Sequence, residues 1–164
     1  MDDDLIVLAQ QVGHDLHTAG YSLATAESCT GGWVAQVLTS IPGSSRWFER
    51  GFVTYSNLSK RELLGIKTET LARFGAVSEQ TARAMAEGAL AHSHAEYALA
   101  ITGIAGPGGG TPEKPVGTVC FAWARRQHPS LSATRLFGGD RQEIRRQSVA
   151  AALEGLRDYA AREG

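Results

Sequence analysis

Residues 21–41 constrain the architecture of this chain more than any other stretch. A short apolar run, Tyr21 to Ala26, leads into Glu27-Ser28-Cys29-Thr30-Gly31-Gly32, after which Val34, Val37, Leu38 and Ile41 recur at helical spacing. The pattern predicts a strand that ends in a tight turn and passes directly into a helix. Glycines in such a turn let backbone N–H groups approach a ligand, and the helix N-terminus behind them favours negative charge. Ser28 and Cys29 put two candidate nucleophiles in the same turn. Taken alone, the segment is also an ordinary capped strand-to-helix connection.

The remaining pattern supplies the layers. Asp4 is placed to cap a first helix carrying Leu5, Leu8, Val12 and Leu16, with Gly20 as its stop. Phe48 to Tyr55 reads as a strand, and Asn57–Leu64 and Thr70–Phe74 as short helices. Ser78 caps a longer helix whose Ala82, Met85, Ala86 and Ala89 form a small-residue face. Tyr97 to Ile101 is nearly all apolar, as a strand buried on both faces requires. A glycine-rich loop follows from Thr102 through Pro115, then strands at Val116–Ala124 and Ser132–Phe137 close enough to pair antiparallel, then a last helix after Gly138-Gly139-Asp140-Arg141. The expected fold is α/β: one three-layer α/β/α domain over residues 1–164, with a mixed sheet of about five or six strands and helices on both faces.

Composition narrows the function. A net charge of -1 gives no electrostatic footprint for nucleic acid. The late basic residues Arg125, Arg126, Arg145 and Arg146 read as solvated helix or loop surface, with Arg141 set apart by its place after Gly139-Asp140. Two cysteines, Cys29 and Cys120, make neither a metal spacing nor a disulfide framework. The start Met1-Asp2-Asp3-Asp4 is acidic where a signal peptide is basic, and the uncharged run 28–45 is broken by glycines, hydroxyls and Pro42. A cytoplasmic protein without membrane or nucleic-acid partners is expected, its oligomeric state open, a homo-oligomer included.

The glycine loops match neither G-x-x-x-x-G-K-[ST] nor G-x-G-x-x-G. The five histidines, His14, His17, His92, His94 and His128, read as exposed, so a Ser-His-Asp triad has no histidine to use. A serine nucleophile then needs another base. Lys60 follows Tyr55 off the end of a strand, where open α/β sheets assemble their ligand sites. A partly desolvated lysine can lose its proton near neutral pH and serve a serine as general base. By itself Lys60 also reads as a surface charge on a helix.

Six segments then occur in order: Ala26-Glu27-Ser28-Cys29-Thr30-Gly31-Gly32, Gly51-Phe52-Val53-Thr54-Tyr55-Ser56-Asn57, Gly75-Ala76-Val77-Ser78, Thr102-Gly103-Ile104-Ala105-Gly106-Pro107, Lys114-Pro115-Val116-Gly117-Thr118-Val119 and Gly139-Asp140-Arg141. Together they resemble the CinA C-terminal domain family, and in particular its stand-alone form. Longer members add an N-terminal molybdopterin-binding-like domain that has no counterpart in this sequence. The resemblance implies hydrolysis of the carboxamide of nicotinamide mononucleotide to nicotinic acid mononucleotide and ammonia, in pyridine nucleotide recycling, with no cofactor and no metal. It implies Ser28 as nucleophile, with Lys60 and Tyr55 activating it or carrying its proton to the leaving ammonia. Thr30, Gly31 and Gly32 would offer backbone N–H groups to the oxyanion or the substrate phosphate. Thr102 and Gly103 would line the pocket, and Arg141 would supply positive charge. Two alternatives stand beside this reading: a competence- or damage-related binding or regulatory protein that keeps the pocket without catalysis, and an amidase using Cys29.

Overall fold

The computed structural model of the protein describes residues 2–163. Met1 and Gly164, the ends of the expected 1–164 domain, lie outside them. The elements are α1 (Asp3–Ala19), β1 (Leu23–Glu27), α2 (Trp33–Thr39), β2 (Phe48–Val53), α3 (Asn57–Leu64), α4 (Thr68–Phe74), α5 (Glu79–Ala91), β3 (Tyr97–Gly103), β4 (Thr118–Arg125), β5 (Leu131–Leu136) and α6 (Arg141–Glu163). Five strands form one sheet in the order β2-β1-β3-β4-β5. The first three run parallel, and β4 and β5 pair antiparallel to their neighbours.

The two faces of the sheet differ in the size of their side chains. Leu23, Leu99, Ile101, Val119, Phe121 and Trp123 meet α1, α2 and α6 on one face. On the other, Ala24, Ala26, Ala98, Ala100 and Ala122 meet Ala82, Met85, Ala86 and Ala89 of α5. The small-residue face read from the sequence therefore permits close approach. It is close enough that a Cβ on Gly88 would stand 2.2 Å from the Leu64 carbonyl oxygen at the end of α3. Helix α5 consequently fixes the far end of α3, the helix that carries Lys60.

Most expected boundaries hold within two residues, and α3 spans Asn57–Leu64 as read. One cap differs. Asp2, not Asp4, caps α1, accepting from the backbone N–H of Asp4 at 3.0 Å. Asp4 instead lies within the first turn, where its charge still favours the helix dipole.

Candidate active site

The connection from β1 to β2 runs through α2 on one face, and that from β2 to β3 runs through α3, α4 and α5 on the other. The chain thus reverses its winding between β1 and β3, and the crevice at the carboxyl ends of such strands is where α/β sheets bind ligands. Ser28 stands there. Its N–H donates to the Ile101 carbonyl of β3 at 3.0 Å, and on the other side the Thr54 N–H donates to the Glu27 carbonyl at 2.9 Å. The Ser28 turn is therefore sewn to both neighbouring strand ends. A cleft of about 300 Å³ opens over it, lined by Ser28, Cys29, Tyr55, Asn57, Lys60, Ala76, Val77, Thr102, Arg141 and the loop from Gly103 to Gly109.

Lys60 reaches this cleft from inside the protein. A capping box between Ser56 and Ser59 starts α3, so Lys60 falls in its first turn, facing back under the sheet edge. The side chain is only 2% exposed. Its Nζ lies 3.1 Å from Ser28 Oγ and donates to the Thr54 carbonyl at 2.9 Å. Burial lowers its pKa from the usual 10.5. As an ammonium it donates to Ser28; once neutral, with one N–H held by Thr54, its lone pair is free to accept the Ser28 proton. The neighbouring thiol is opposite in character. Burial, with the Glu27 charge adding to it, pushes Cys29 up to about 12. It stays protonated at neutral pH and is a poor nucleophile.

The glycine turn is put to a different use from the one its sequence suggests. The buried Glu27 carboxylate folds back over the start of α2 and accepts from the Thr30 hydroxyl at 2.6 Å, the Val34 N–H at 2.9 Å and the Ala35 N–H at 3.1 Å. The anion favoured by that helix N-terminus is the protein's own. Gly31 and Gly32, at φ 60 and φ 102, make the reversal that lets Glu27 reach it. Thr30, Gly31 and Gly32 do not line the cleft.

Thr102 and Gly103 do line it, Thr102 being anchored by its hydroxyl to the Ala76 carbonyl at 2.7 Å. Tyr55 and Arg141 meet at the rim rather than at Ser28. Arg141 donates to the Tyr55 hydroxyl at 2.8 Å and to the Gly106 carbonyl at 2.6 Å, with Tyr55 61% exposed. Tyr55 lines the same cleft as Ser28 and Lys60, with no hydrogen bond joining it to either among the described residues. The late arginines are also reassigned. Arg145 donates to the Cys29 and Thr30 carbonyls at 3.0 and 3.2 Å, and Arg126 to those of Leu90, Ser93 and Ala95. Glu27, Arg145 and Lys114 were not singled out as functional by sequence. Only Glu27 left a usable signal, as an acid three residues before Thr30 at a helix start.

The histidines are all exposed and dispersed, and no group of three or more His, Cys, Asp or Glu is poised for a metal ion among the described residues. None of the described helices is long and apolar enough to cross a membrane. A second hollow of about 310 Å³ lies between α1 and α6, but no serine, cysteine or lysine lines it.

Residues 6–160 match the CinA C-terminal domain family. The chain belongs to that family. It is 54% identical over 155 residues to nicotinamide-nucleotide amidohydrolase PncC of Escherichia coli strain K12, covering 94% of each chain. It is 48% identical over 154 residues to the enzyme of the same name from Pseudomonas putida, covering 94% of this chain and 96% of that one. Among solved structures, the competence/damage inducible protein CihA of Agrobacterium tumefaciens superposes with a TM-score of 0.91 at 52% identity, over 93% of both chains. Membership in the CinA C-terminal domain family thus extends over both layers of helices and every strand that contributes to the cleft.

Proposed function

We propose that this protein hydrolyses the carboxamide of nicotinamide mononucleotide, yielding nicotinic acid mononucleotide and ammonia, and that Ser28 and Lys60 carry the chemistry. The observation that carries the reading is the 3.1 Å contact between a buried lysine amine and the Ser28 hydroxyl at the sheet's ligand-binding edge. A lysine kept there only for charge would gain nothing from desolvation, whereas a base needs its pKa lowered toward the working pH.

In this mechanism neutral Lys60 takes the Ser28 proton as Oγ attacks the carboxamide carbon, giving a tetrahedral oxyanion. The oxyanion collapses, the C–N bond breaks, and the Lys60 ammonium returns that proton to the departing nitrogen, which leaves as ammonia. A Ser28 ester remains. Water then attacks the ester while Lys60 accepts its proton, the proton passes back to Ser28 Oγ, and the acid product is released. Arg141, the exposed cation of the cleft, is the partner for the substrate's phosphate, and Tyr55 holds its guanidinium in place. The relatives named as nicotinamide-nucleotide amidohydrolases support the same substrate class.

The test is ammonia release by the purified protein from nicotinamide mononucleotide beside free nicotinamide, with nicotinic acid mononucleotide measured as product. Stoichiometric ammonia and acid from the nucleotide, well above the rate with nicotinamide, is the expected result. No ammonia from the nucleotide would end the proposal.

A further inference from the structure

The first half of the glycine-rich loop from Ile104 to Gly117, up to Gly109, forms one wall of the cleft, and Ala76 and Val77 of the turn between α4 and α5 line it as well. Four successive carbonyls of that turn each accept a side-chain hydrogen bond. Gly75 takes the hydroxyls of Ser78 and Thr81, from the turn's own helix, at 3.0 and 2.6 Å. Ala76 takes the Thr102 hydroxyl from the end of β3. Phe74 and Val77 take the Lys114 ammonium at 3.1 and 2.5 Å.

Lys114 differs from the other donors because it belongs to the loop. Its own segment is closed on itself, with Lys114 N–H donating to the Thr111 hydroxyl and Thr111 N–H to the Lys114 carbonyl. The lysine therefore projects from a formed turn rather than a slack tether. Its ammonium is in no ion pair among the described residues. Both partners are neutral carbonyls, one of them the last residue of α4, where a cation completes an otherwise open helix end. Arg141 also holds the same loop, at the Gly106 carbonyl. The ends of the loop are closed by the Gly117 N–H donating to the Ile104 carbonyl, and Lys114 is the residue that ties it across to Phe74 and Val77.

We propose that Lys114 is a positioning residue for substrate: its ammonium latches the 104–117 loop onto the 74–77 turn and so sets the width of the cleft. The inference rests on the amidohydrolase reading of the site and adds what determines substrate fit. Lys114 touches neither Ser28 nor Lys60, so its loss acts on binding and leaves the chemical step intact.

The experiment compares wild type, Lys114→Met and Lys114→Arg in steady-state ammonia release from nicotinamide mononucleotide, with hydrogen–deuterium exchange of each unliganded protein. Lys114→Met is expected to raise KM by about ten- to a hundredfold, the scale of a lost hydrogen bond to a charged group. Its kcat stays within about threefold, and exchange across 104–117 and 74–77 quickens. Lys114→Arg, which keeps the charge and its donors, should restore most of the KM. An unchanged KM in Lys114→Met overturns the proposal, whether or not exchange quickens. So does a fall in kcat at constant KM, or a loss of activity that only tracks loss of folded protein. If the wild type releases no ammonia, the amidohydrolase reading fails by itself, and the latch then stands or falls on the exchange of these two segments.

Discussion

Replacing Lys60 by Met removes the amine from the Ser28–Lys60 contact while keeping an unbranched side chain of similar volume in a site that is 2% exposed. Among the described residues Ser28 Oγ has one side-chain partner, the Lys60 amine, so no second base stands ready. The expected loss in kcat/KM is the roughly 10²–10⁴-fold of general acid–base catalysis, or about 3–5.5 kcal/mol of transition-state stabilisation. KM should move by less than about threefold, because Lys60 holds protons rather than the substrate's phosphate. Combining Lys60→Met with Ser28→Ala should be no worse than Ser28→Ala alone, since the two groups act as a unit.

The pH dependence gives the sharper readout. The pKa of Lys60 is lowered by burial, so the wild-type kcat/KM should climb with pH as the amine loses its proton, at a pH below the usual 10.5. That acid limb should vanish in Lys60→Met. The same shift has a consequence for stability. The unfolded chain binds the lysine proton more readily than the folded one, so this group weakens folding as pH falls below 10.5 and the loss levels off below the folded pKa. Lys60→Met should therefore gain stability relative to wild type as pH is lowered through that window, followed by thermal melts at several pH values. A variant that keeps its rate within tenfold, or keeps the acid limb unchanged, would refute the assignment of Lys60 as base.

Three further outcomes follow from neighbouring residues. Ser28→Ala should abolish ammonia release while leaving nucleotide binding measurable by calorimetry, and Cys29→Ala should retain most activity, because the thiol sits at about 12; a dead cysteine variant beside an active serine variant reverses the assignment. Arg141→Ala should lower kcat/KM for the mononucleotide by about 10–100-fold more than for the riboside lacking the phosphate, and an equal loss on both would separate Arg141 from the phosphate. Glu27→Ala leaves the Thr30 hydroxyl and the Val34 and Ala35 N–H groups without their acceptor. At about 1–3 kcal/mol for each orphan, that should lower the melting temperature by roughly 6–36 °C, and a melt within 2 °C of wild type would show that the carboxylate is replaceable.

How much of this was legible in the sequence depended on whether a residue's partner was local. Helix α3 matches its reading to the residue, and its start and stop groups are local: Ser56 and Ser59 form a capping box and Gly65 ends it, all within ten positions. Strand β3 was read from an apolar run that its burial on both faces requires. Strand β1 began two residues later than expected, since Ser22 is drawn aside by a hydrogen bond from its N–H to the Glu96 carboxylate, 74 positions away. Ser28 and Lys60 could be nominated by type and place, but their contact spans 32 positions and depends on how α3 is seated by α5. The glycine turn pointed to an anion at the N-terminus of α2, and the sequence did not reveal that Glu27, the last residue of the preceding strand, accepts from the Val34 N–H there.

The cations around the cleft show why the remainder was hidden. Lys60, Lys114, Arg141 and Arg145 all donate to backbone carbonyls, those of Thr54, Phe74 and Val77, Gly106, and Cys29 and Thr30. A carbonyl is present at every residue, so such a partner leaves no mark in the sequence, whereas an acid four positions along a helix would have. The choice of partner also has an electrical consequence. A carboxylate would cancel each charge, but a carbonyl dipole holds the cation while leaving its net charge in place. The rim of the cleft therefore carries Arg141 outside any ion pair among the described residues, with Lys114 likewise unpaired by acids behind the cleft wall. An anionic substrate such as a mononucleotide is drawn to that rim, and the overall charge of -1 conceals it.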